Sequence, residues 1–403
     1  MISVEVALEY IERCALQLPA AKVPIGEALG LRLVDAVVSE VDSPPFDKSM
    51  LDGYAVSAHD PSPTRRVVEQ VLAGEVPQHA VEPGTTINVM TGAPLPDGAD
   101  AVIKHEDVSI PDETTIHLPA AGVAEGTGIL LRGAAFHAGK QLLAAGHRLS
   151  PVDIALLAEV GKAAVKVTPR PRVAVLATGD ELVSSGKPVG AGQISNSNGP
   201  MLMALLESVQ AEALDLGIGR DNTDELKRMM QQGLAADILM VTGGVSAGVM
   251  DLVPGVLEQL GVEQVFHKIR MRPGKPLWFG HYEHEDHRCL VFGLPGNPVS
   301  TLVSFEVFVK SALQALSGGG FVSPRPSQGV LAGKVSHRGV RTTYSPCRID
   351  HSTRTSGKPT VEPVAWSGSA DLAALSRANA LAILPAGDYQ LEAGQVVDFL
   401  PLS

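Results

Sequence analysis

The sequence predicts a multidomain α/β protein built around a doubly wound sheet of mostly parallel strands. Two observations lead to this prediction. Between residues 169 and 317, short apolar strands alternate with helical segments, which is the pattern of βαβ units. On either side of that region, short apolar runs are separated by frequent Gly and Pro, which is typical of β-rich domains.

The N-terminal part contains helical and β-rich segments in turn. Apolar residues recur at helical spacing after Ser3, a residue suited to cap a helix, and Pro19 ends the pattern. Residues 31–41 have the β-branched character of a strand. Residues 43–140 then read as a β-rich module, and residues 141–161 turn helical again, with Ser150-Pro151 as a cap.

The central region supplies five strands and four helices in alternation. At its end, Asn297 and Pro298 have the residue types of an N-cap and a first helical position. A linker rich in Gly, Pro and Ser covers residues 317–326, and residues 329–403 predict a small β domain. The strands are expected at 172–177, 214–218, 238–241, 277–279 and 289–292, and the helices at 200–209, 224–234, 252–260 and 297–316.

Composition excludes several classes of protein. The chain has 403 residues and a formal charge of −12, so a broad basic face for nucleic acid is not expected. Three separated cysteines without a CxxC motif argue against a disulfide framework or a structural zinc site. They suit a reducing compartment, and we expect a cytoplasmic protein. The sequence shows no signal peptide and no apolar stretch of the ~18 residues that a membrane span needs.

Acidic residues follow three successive strands of the predicted sheet. Asp180 and Glu181 come after the first strand, Asp221 after the second, and Asp251 ten residues after the third. Ligands of open parallel sheets lie outside the carboxyl ends of the strands, and converging carboxylates suit Mg²⁺. The alternative is that each acid merely interacts with a helix N-terminus. For three strand ends we favour the metal-binding interpretation, with Glu181, Asp221 and Asp251 as the candidate ligands.

A Gly-rich turn and a basic run are candidates for binding anions. The turn at residues 242–248 offers Gly243, Gly244 and Ser246, and glycines before a helix allow close approach of a phosphate. It matches neither a dinucleotide fingerprint nor a Walker motif, and it could be a tight turn only. The basic run at residues 268–276 predicts a polyanion site, although a solvated edge strand is the alternative. Its cations are Lys268, Arg270, Arg272 and Lys275.

The segment at residues 294–300 predicts a rigid turn from a strand into a helix. Pro295 and Asn297 lie in this turn, and simple helix capping explains both residue types. A role for them in holding a ligand would be indirect.

Taken together, the motifs resemble the molybdopterin molybdenumtransferase family, of the MoeA and gephyrin E-domain type. The matching pieces occur in the order of the family and span nearly the whole chain. They are Asp52-Gly53-Tyr54-Ala55, Met90-Thr91-Gly92-Ala93-Pro94, Thr178-Gly179-Asp180-Glu181-Leu182, Gly243-Gly244-Val245-Ser246 with Asp251, Pro273-Gly274-Lys275-Pro276, and Leu294-Pro295-Gly296-Asn297-Pro298.

The resemblance implies four structural parts and an elongated homodimer. An N-terminal helical and linker domain at 1–42 and 141–168 would carry an inserted β-rich module at 43–140. A molybdopterin-binding α/β domain at 169–317 and a C-terminal β-barrel-like domain at 327–403 would follow. The active site would form between the α/β domain of one subunit and the N-terminal module of the other.

The implied reaction inserts molybdate into adenylylated molybdopterin, releases AMP and yields molybdenum cofactor, with help from Mg²⁺. The resemblance assigns the acids to the cation and the pterin phosphate, and Lys268, Arg272 and Lys275 to molybdate and phosphates. Asp52 and Thr91 would complete the pocket from the other subunit. Arg341 and Ser369 would lie near the oxyanion, with Arg348 as the rival of Arg341. Further substrate-binding positions are Gly243, Gly244, Ser246, Arg270, Pro295 and Asn297.

Other functions remain as alternatives. An adenylyltransferase that activates molybdopterin uses the same central domain, but stand-alone versions are short. A scaffold that clusters membrane receptors, as gephyrin does, needs a fused second α/β domain. A molybdopterin- or molybdate-binding protein without turnover would not need the full set of acids and cations. The insertase interpretation also implies molybdopterin adenylyltransferase and molybdoenzyme-maturation proteins as partners.

Overall fold

The computed structural model describes residues 1–245, 251–355 and 357–402, and the chain forms two compact units. The larger unit comprises Met1–Val34 and Val165–Ser403, and the smaller unit comprises Asp35–Ala164. The larger unit contains the first helix, the α/β sheet and the C-terminal β domain. The predicted division into four parts remains a prediction, whereas the multidomain α/β fold is confirmed.

The sheet of the larger unit has six strands, and its first four strands in spatial order pair in parallel. The fifth strand pairs antiparallel with both the fourth and the sixth, so it alone runs in the opposite direction. The predicted mostly parallel sheet is therefore confirmed, with one antiparallel strand near its edge. In spatial order the strands are Glu212–Gly219, Arg172–Thr178, Ile238–Thr242, His287–Leu294, Trp278–His284 and Glu263–His267.

Both faces of this sheet are buried, because alternate side chains of each central strand enter different cores. Val173 and Val175 pack in one cluster, which also includes the first helix, Val4–Cys14. Ala174 and Leu176 pack in the other cluster. This arrangement explains why the central strands read as continuous apolar runs rather than as alternating ones.

Helices cover both faces and begin near the carboxyl ends of the strands. Asn222 caps the second of them, because its Oδ1 accepts from the backbone N–H groups of Asp224 and Glu225 at 3.1 Å each. Pro298 stands in the first turn of the last helix, as predicted. The helices are Asn198–Ser208, Thr223–Gly233, Leu252–Gln259 and the composite Pro298–Gly319, which includes π-helical turns at Phe305–Val309 and Ala315–Gly319.

The composite helix Pro298–Gly319 is long and apolar enough to cross a membrane by length and composition alone. However, 89% of its apolar window is buried inside the protein. Among the residues that the structure describes it is the one helix that meets this criterion, and its burial is that of a core helix.

The C-terminal β domain is a closed barrel. Five strands pair in a ring, because Thr342–Thr355 bonds both to its neighbour and to Ala380–Leu384. A sixth short strand, Met271–Arg272, pairs in parallel with residues 342–343 and so joins the central basic run to this barrel. The remaining barrel strands are Lys358–Pro363, Ser327–Leu331 and Val396–Pro401; a hairpin of Val335–His337 with Tyr389–Leu391 and the helix Leu372–Leu375 complete the domain.

The smaller unit is built mainly from β-strands, as predicted for its central residues. It has one six-stranded sheet, two two-stranded sheets and the helix Pro151–Glu159. In spatial order the sheet strands are Ala101–Lys104, Gly53–Val56, Thr85–Val89, Thr64–Val71, Thr115–His117 and Ser109–Asp112; the pairs are Ile129–Leu130 with Lys48–Ser49 and Gln141–Leu143 with Val37–Val38. The larger unit adds Ala21–Pro24, Arg32–Leu33 and Ala164–Thr168, which form a three-stranded sheet, and a short pair, Leu182–Val183 with Ile194–Ser195.

Three predictions about secondary structure need correction. Residues 141–161 are helical only at Pro151–Glu159, because Gln141–Leu143 pairs as a strand. The expected strand at 31–41 is two short strands in different sheets. The polar sequence around His281, His284 and His287 predicts an exposed loop, but these histidines lie in two paired strands, and the side chain of His281 is only 15% exposed.

Candidate functional site

The carboxyl edge of the parallel sheet brings together the turn after the first strand and the turn after the second. The Gly179 N–H donates to the Gly219 carbonyl at 3.2 Å. The Arg220 guanidinium donates to the carbonyls of Asp180 at 2.9 Å and Leu182 at 3.1 Å. Arg220 therefore fixes the acidic turn from the neighbouring strand, and the backbone N–H of Asp221 donates to Asp180 Oδ1 at 3.2 Å.

Four carboxylates interact at this edge. The pKa of Asp221 is raised above its usual value, first by burial and then by the negative charges of Asp180, Glu181 and Asp251. Asp180, Glu181 and Asp251 thus each lie close enough to Asp221 to repel its charge. The described residues nevertheless contain no group of three or more His, Cys, Asp or Glu side chains placed to hold a metal ion. The edge is an acidic surface rather than a preformed metal cage.

The Gly-rich turn packs against the end of the first strand. Gly243 has φ +94° and Gly244 has φ +61°, so both adopt left-handed conformations that favour glycine. A Cβ on Gly243 would lie 2.4 Å from the Thr178 carbonyl oxygen. Ser246 lies outside the described residues. Asp251 is the N-cap residue of the next helix, so it lies at a helix N-terminus as the alternative interpretation expects, although its side chain makes no capping hydrogen bond.

A buried hydrogen-bond network joins the Gly-rich turn to the turn at residues 294–297. Asn198 Nδ2 donates to Thr242 Oγ1 at 2.8 Å and to the Gly296 carbonyl at 2.7 Å. The Pro295 carbonyl accepts from Thr242 Oγ1 at 3.3 Å and from Thr301 Oγ1 at 2.6 Å. Pro295 thus contributes a backbone acceptor that sets the position of the turn.

Asn297 connects the α/β domain to the C-terminal domain. As the N-cap residue of the last helix it makes no side-chain capping bond. Its Nδ2 instead donates to Ser369 Oγ at 3.0 Å, and the backbone N–H of Val299 donates to the Ser369 carbonyl at 3.0 Å. The simple capping interpretation of Asn297 is therefore wrong, and two predicted site residues from distant parts of the chain are in contact.

The backbone of the basic run is held by the N-terminus on one side and by the C-terminal barrel on the other. Its backbone bonds to the N-terminus, since the Ile2 N–H donates to Lys268 O at 3.2 Å and the Arg270 N–H donates to Ile2 O at 2.8 Å. Arg270 and Arg272 are exposed while Ile269 and Met271 are buried, which is the alternation of an extended segment, and Lys275 is exposed in the turn that follows.

Lys268 departs from that alternation, because its φ of +73° places it at a left-handed bend rather than in a strand. None of the four cations makes an ion pair with a described residue. Among the described residues, the positive charge of the run is therefore not neutralised by ion pairs, although the protein as a whole is acidic.

Arg341 lies beside this run, and Arg348 does not. Arg341 Nη1 donates to the Met271 carbonyl at 3.3 Å, and the residues that follow Arg341 pair with residues 271–272. Arg348 is exposed further along the same strand, opposite Glu362. The geometry of the larger unit thus favours Arg341 over its rival.

Asp52 and Thr91 lie together in the smaller unit. Asp52 Oδ1 accepts from the Thr91 backbone N–H at 2.7 Å and from the Thr91 hydroxyl at 2.8 Å. These two hydrogen bonds hold the pKa of the exposed Asp52 carboxyl below its usual value. The sequence pairing of the two motifs therefore corresponds to a direct contact, with a carboxylate that is ionised at neutral pH.

Sequence reasoning missed Asn198, Thr242 and Arg220. The only available signals were indirect: Asn198 opens a helix after a Gly/Ser-rich loop, and Arg220 directly precedes a candidate acid. Their importance depends on contacts to residues 38 to 98 positions away, and local patterns do not encode such contacts.

Comparison with known families covers most of the chain. Residues 2–161 match the MoeA N-terminal region, domains I and II, and residues 174–315 match the probable molybdopterin-binding domain. Residues 328–402 match the MoeA C-terminal region, domain IV.

Individual relatives resemble the chain over its full length. A protein named molybdopterin molybdenumtransferase from Staphylococcus aureus (strain COL) is 33% identical over 411 aligned residues, covering 99% of this chain and 95% of the relative. A protein of the same name from Staphylococcus epidermidis is 30% identical with the same coverage. A solved structure of a molybdopterin biosynthesis MoeA protein from Pyrococcus horikoshii has a TM-score of 0.80 at 30% identity, covering 100% of this chain and 99% of that one.

Proposed function

The chain belongs to the MoeA family of molybdopterin molybdenumtransferases, and from this premise we propose that it inserts molybdate into adenylylated molybdopterin and releases AMP. The observation that carries the proposal is the pairing of opposite charges on the larger unit. An acidic edge at Asp221 stands on the same domain as the run from Lys268 to Lys275, whose cations form no ion pair with the residues that the structure describes. A substrate with two phosphates, together with an oxyanion and a cation, needs both kinds of group.

The cations are suited to the oxyanion and the phosphates. Arg272 and Lys275 are exposed, and Arg341 lies against the backbone of the same short strand. A guanidinium can donate two parallel hydrogen bonds to an oxyanion, whereas a lysine acts as a point charge. Together they stabilise the negative charge that develops as the phosphoanhydride breaks and AMP leaves.

The acids are suited to Mg²⁺. Carboxylate oxygens are the ligands that Mg²⁺ prefers, and it is usually bound by one or two carboxylates together with substrate phosphates. That mode fits an edge whose acids repel one another without forming a three-ligand cage. One or two of Glu181, Asp221 and Asp251 would hold the ion together with substrate phosphates, and the bound ion would neutralise phosphate charge.

The Gly-rich turn and the Pro295–Asn297 turn are suited to the phosphate and pterin parts of the substrate. Gly243 and Gly244 leave the backbone open to close approach, and the contact of Asn297 with Ser369 aligns the C-terminal domain with this edge.

Three free cysteines among the described residues support a reducing cytoplasm as the site of action.

We further propose that the active protein is a homodimer in which Asp52 and Thr91 act on the substrate bound by the partner subunit. Mixing subunits tests this proposal. Refolded or co-expressed mixtures of an Asp52→Ala chain and a Glu181→Ala chain regain one intact site in mixed dimers. Recovery of activity in the mixture, when neither parent chain is active alone, supports an active site shared between subunits. A mixture that stays inactive contradicts it.

The decisive experiment measures AMP release from adenylylated molybdopterin, with molybdate and Mg²⁺ each present or omitted. We expect AMP only when both are present, and we expect Glu181→Ala to reduce it to background. Glu212→Ala is the matched control, because it removes an exposed carboxylate at the amino edge of the same sheet. Substrate binding without AMP release under any metal condition would refute the insertase and favour a carrier.

The assay also separates the adenylyltransferase alternative. An adenylyltransferase would form adenylylated molybdopterin from molybdopterin and ATP, a reaction that we expect this chain not to catalyse. The match of the chain to the MoeA N-terminal and C-terminal regions supports insertion over adenylylation.

A further inference from the structure

Asn198 connects two turns at the carboxyl edge of the sheet. It is the first residue of the helix Asn198–Ser208, and only 8% of it is exposed. Its Nδ2 donates to Thr242 Oγ1 at 2.8 Å, at the start of the Gly-rich turn. The same Nδ2 donates to the Gly296 carbonyl at 2.7 Å, in the turn before the last helix. Both hydrogens of the amide are therefore used to hold these two turns together.

The surrounding groups fix the orientation of this amide. A backbone carbonyl can only accept a hydrogen bond, so the nitrogen rather than the oxygen of Asn198 must face Gly296. Thr242 Oγ1 directs its own hydrogen to the Pro295 carbonyl at 3.3 Å, so it too accepts from Asn198. The Asn198 amide thus donates to the Thr242 hydroxyl, and that hydroxyl in turn donates to the Pro295 carbonyl.

The other amide atom, Asn198 Oδ1, is buried and finds no donor among the described residues. A buried polar atom without a partner destabilises the fold, and an apolar side chain of similar size would avoid that cost if packing were its only task. The amide at this position offsets that cost with its two donated bonds, which join the two turns.

We propose that Asn198 is a positioning residue that sets the separation of the Gly243-Gly244 turn from the Pro295–Asn297 turn for binding of the adenylylated ligand. This inference rests on the proposed function, because it assumes that these turns bind the phosphates and the nucleotide. Through Asn297 the same link extends to Ser369 in the C-terminal domain. Asn198 acts through the turns that it joins and is not assigned a step in the reaction.

A chain neighbour provides a matched control. Asn196 Oδ1 accepts from the Gly199 backbone N–H at 3.0 Å, and this bond supports the start of the helix. Asn196 thus uses its oxygen, whereas Asn198 uses its nitrogen. Replacement by Asp keeps the oxygen in both cases and removes the donors, so the same substitution preserves the bond of Asn196 and breaks those of Asn198.

The test compares Asn198→Asp with Asn196→Asp by calorimetric titration with AMP and by AMP release from adenylylated molybdopterin. At mildly alkaline pH, we expect Asn198→Asp to bind AMP about tenfold more weakly than the wild type or worse, because a carboxylate faces two acceptors. Asn196→Asp should match the wild type. Burial and the facing acceptors raise the pKa of the new carboxyl, so mild acid restores one donor.

The pH dependence distinguishes positioning from general damage. The ratio of the Asn198→Asp dissociation constant to that of the wild type, measured at each pH, should fall toward one as the pH is lowered. Thr242→Val removes the same link without adding a titratable group, so its ratio should be raised and independent of pH. This second variant also keeps the test valid if Asn198→Asp does not fold.

Two outcomes overturn the positioning role alone. One is wild-type AMP affinity and AMP release in both Asn198→Asp and Thr242→Val, and the other is a ratio for Asn198→Asp that does not change with pH. Failure of the proposed function looks different, because the wild type itself would then release no AMP from adenylylated molybdopterin.

Discussion

Gly243→Ala tests whether the Gly-rich turn depends on its close packing against the first strand. The residue has φ +94°, and an added Cβ would meet the Thr178 carbonyl oxygen at 2.4 Å and the Thr178 Oγ1 at 3.1 Å. The first distance is well inside van der Waals contact, and the neighbouring atom is backbone, which cannot rotate away. The end of a central strand must therefore move.

The expected cost has two parts. A left-handed conformation costs a residue with a Cβ about 1–2 kcal/mol, and overpacking against a rigid neighbour adds about 1–3 kcal/mol. Gly186→Ala is the matched control, because Gly186 has φ +84° and a Cβ there would meet nothing within 4 Å. The control should lose only the first part, so the difference between the two variants isolates the close contact.

Urea unfolding followed by fluorescence measures this difference. Trp278 is 2% exposed and lies in the same apolar cluster as Val245, which follows the turn. In a Trp366→Phe background the signal therefore reports the α/β core. We expect Gly243→Ala to lower the free energy of unfolding by about 1–3 kcal/mol more than Gly186→Ala does, and to reduce AMP release at the same time. Equal destabilisation by the two variants would refute the packing argument.

Three further predictions concern charge and contact at the site. Asp221→Asn should raise the free energy of unfolding of the metal-free protein, because burial and three neighbouring carboxylates disfavour the ionised form of Asp221. Since Asp221 is exposed, this gain in stability should be under about 1 kcal/mol. Since the folded pKa is raised, the gain should be absent in acid, appear as the pH rises through the pKa of Asp221 and stay constant above it, which urea unfolding at several pH values would show. Arg341→Ala should reduce molybdate-dependent AMP release about tenfold or more while Arg348→Ala leaves it unchanged; equal effects would remove the basis for preferring Arg341. Asn297→Ala and Ser369→Ala should each lose about 1 kcal/mol of stability, and the double variant should lose no more than either alone, because they share one hydrogen bond; additive losses in thermal unfolding would contradict that sharing.

Much of the larger unit followed from local sequence patterns. The alternation of strands and helices, the Pro at the start of the last helix and the exposed positions of Arg270 and Arg272 depend on neighbours within a few residues. Predictions failed where pairing partners decide the structure. Residues 141–143 form a strand because residues 37–38 lie beside them, and nothing in the local pattern of 141–161 indicates that partner.

Motifs and short-range periodicity were sufficient to predict the family, the mostly parallel sheet and the kinds of charge that the site contains. Three other features depend on contacts between distant segments: Asn297 bonds to Ser369 instead of capping its helix with its side chain, Arg341 instead of Arg348 adjoins the basic run, and Asn198 joins two turns. The physical reason is the same in each case. A buried donor or acceptor must find a partner, and in a fold of this size that partner comes from a distant segment whose position only the assembled sheet and barrel define.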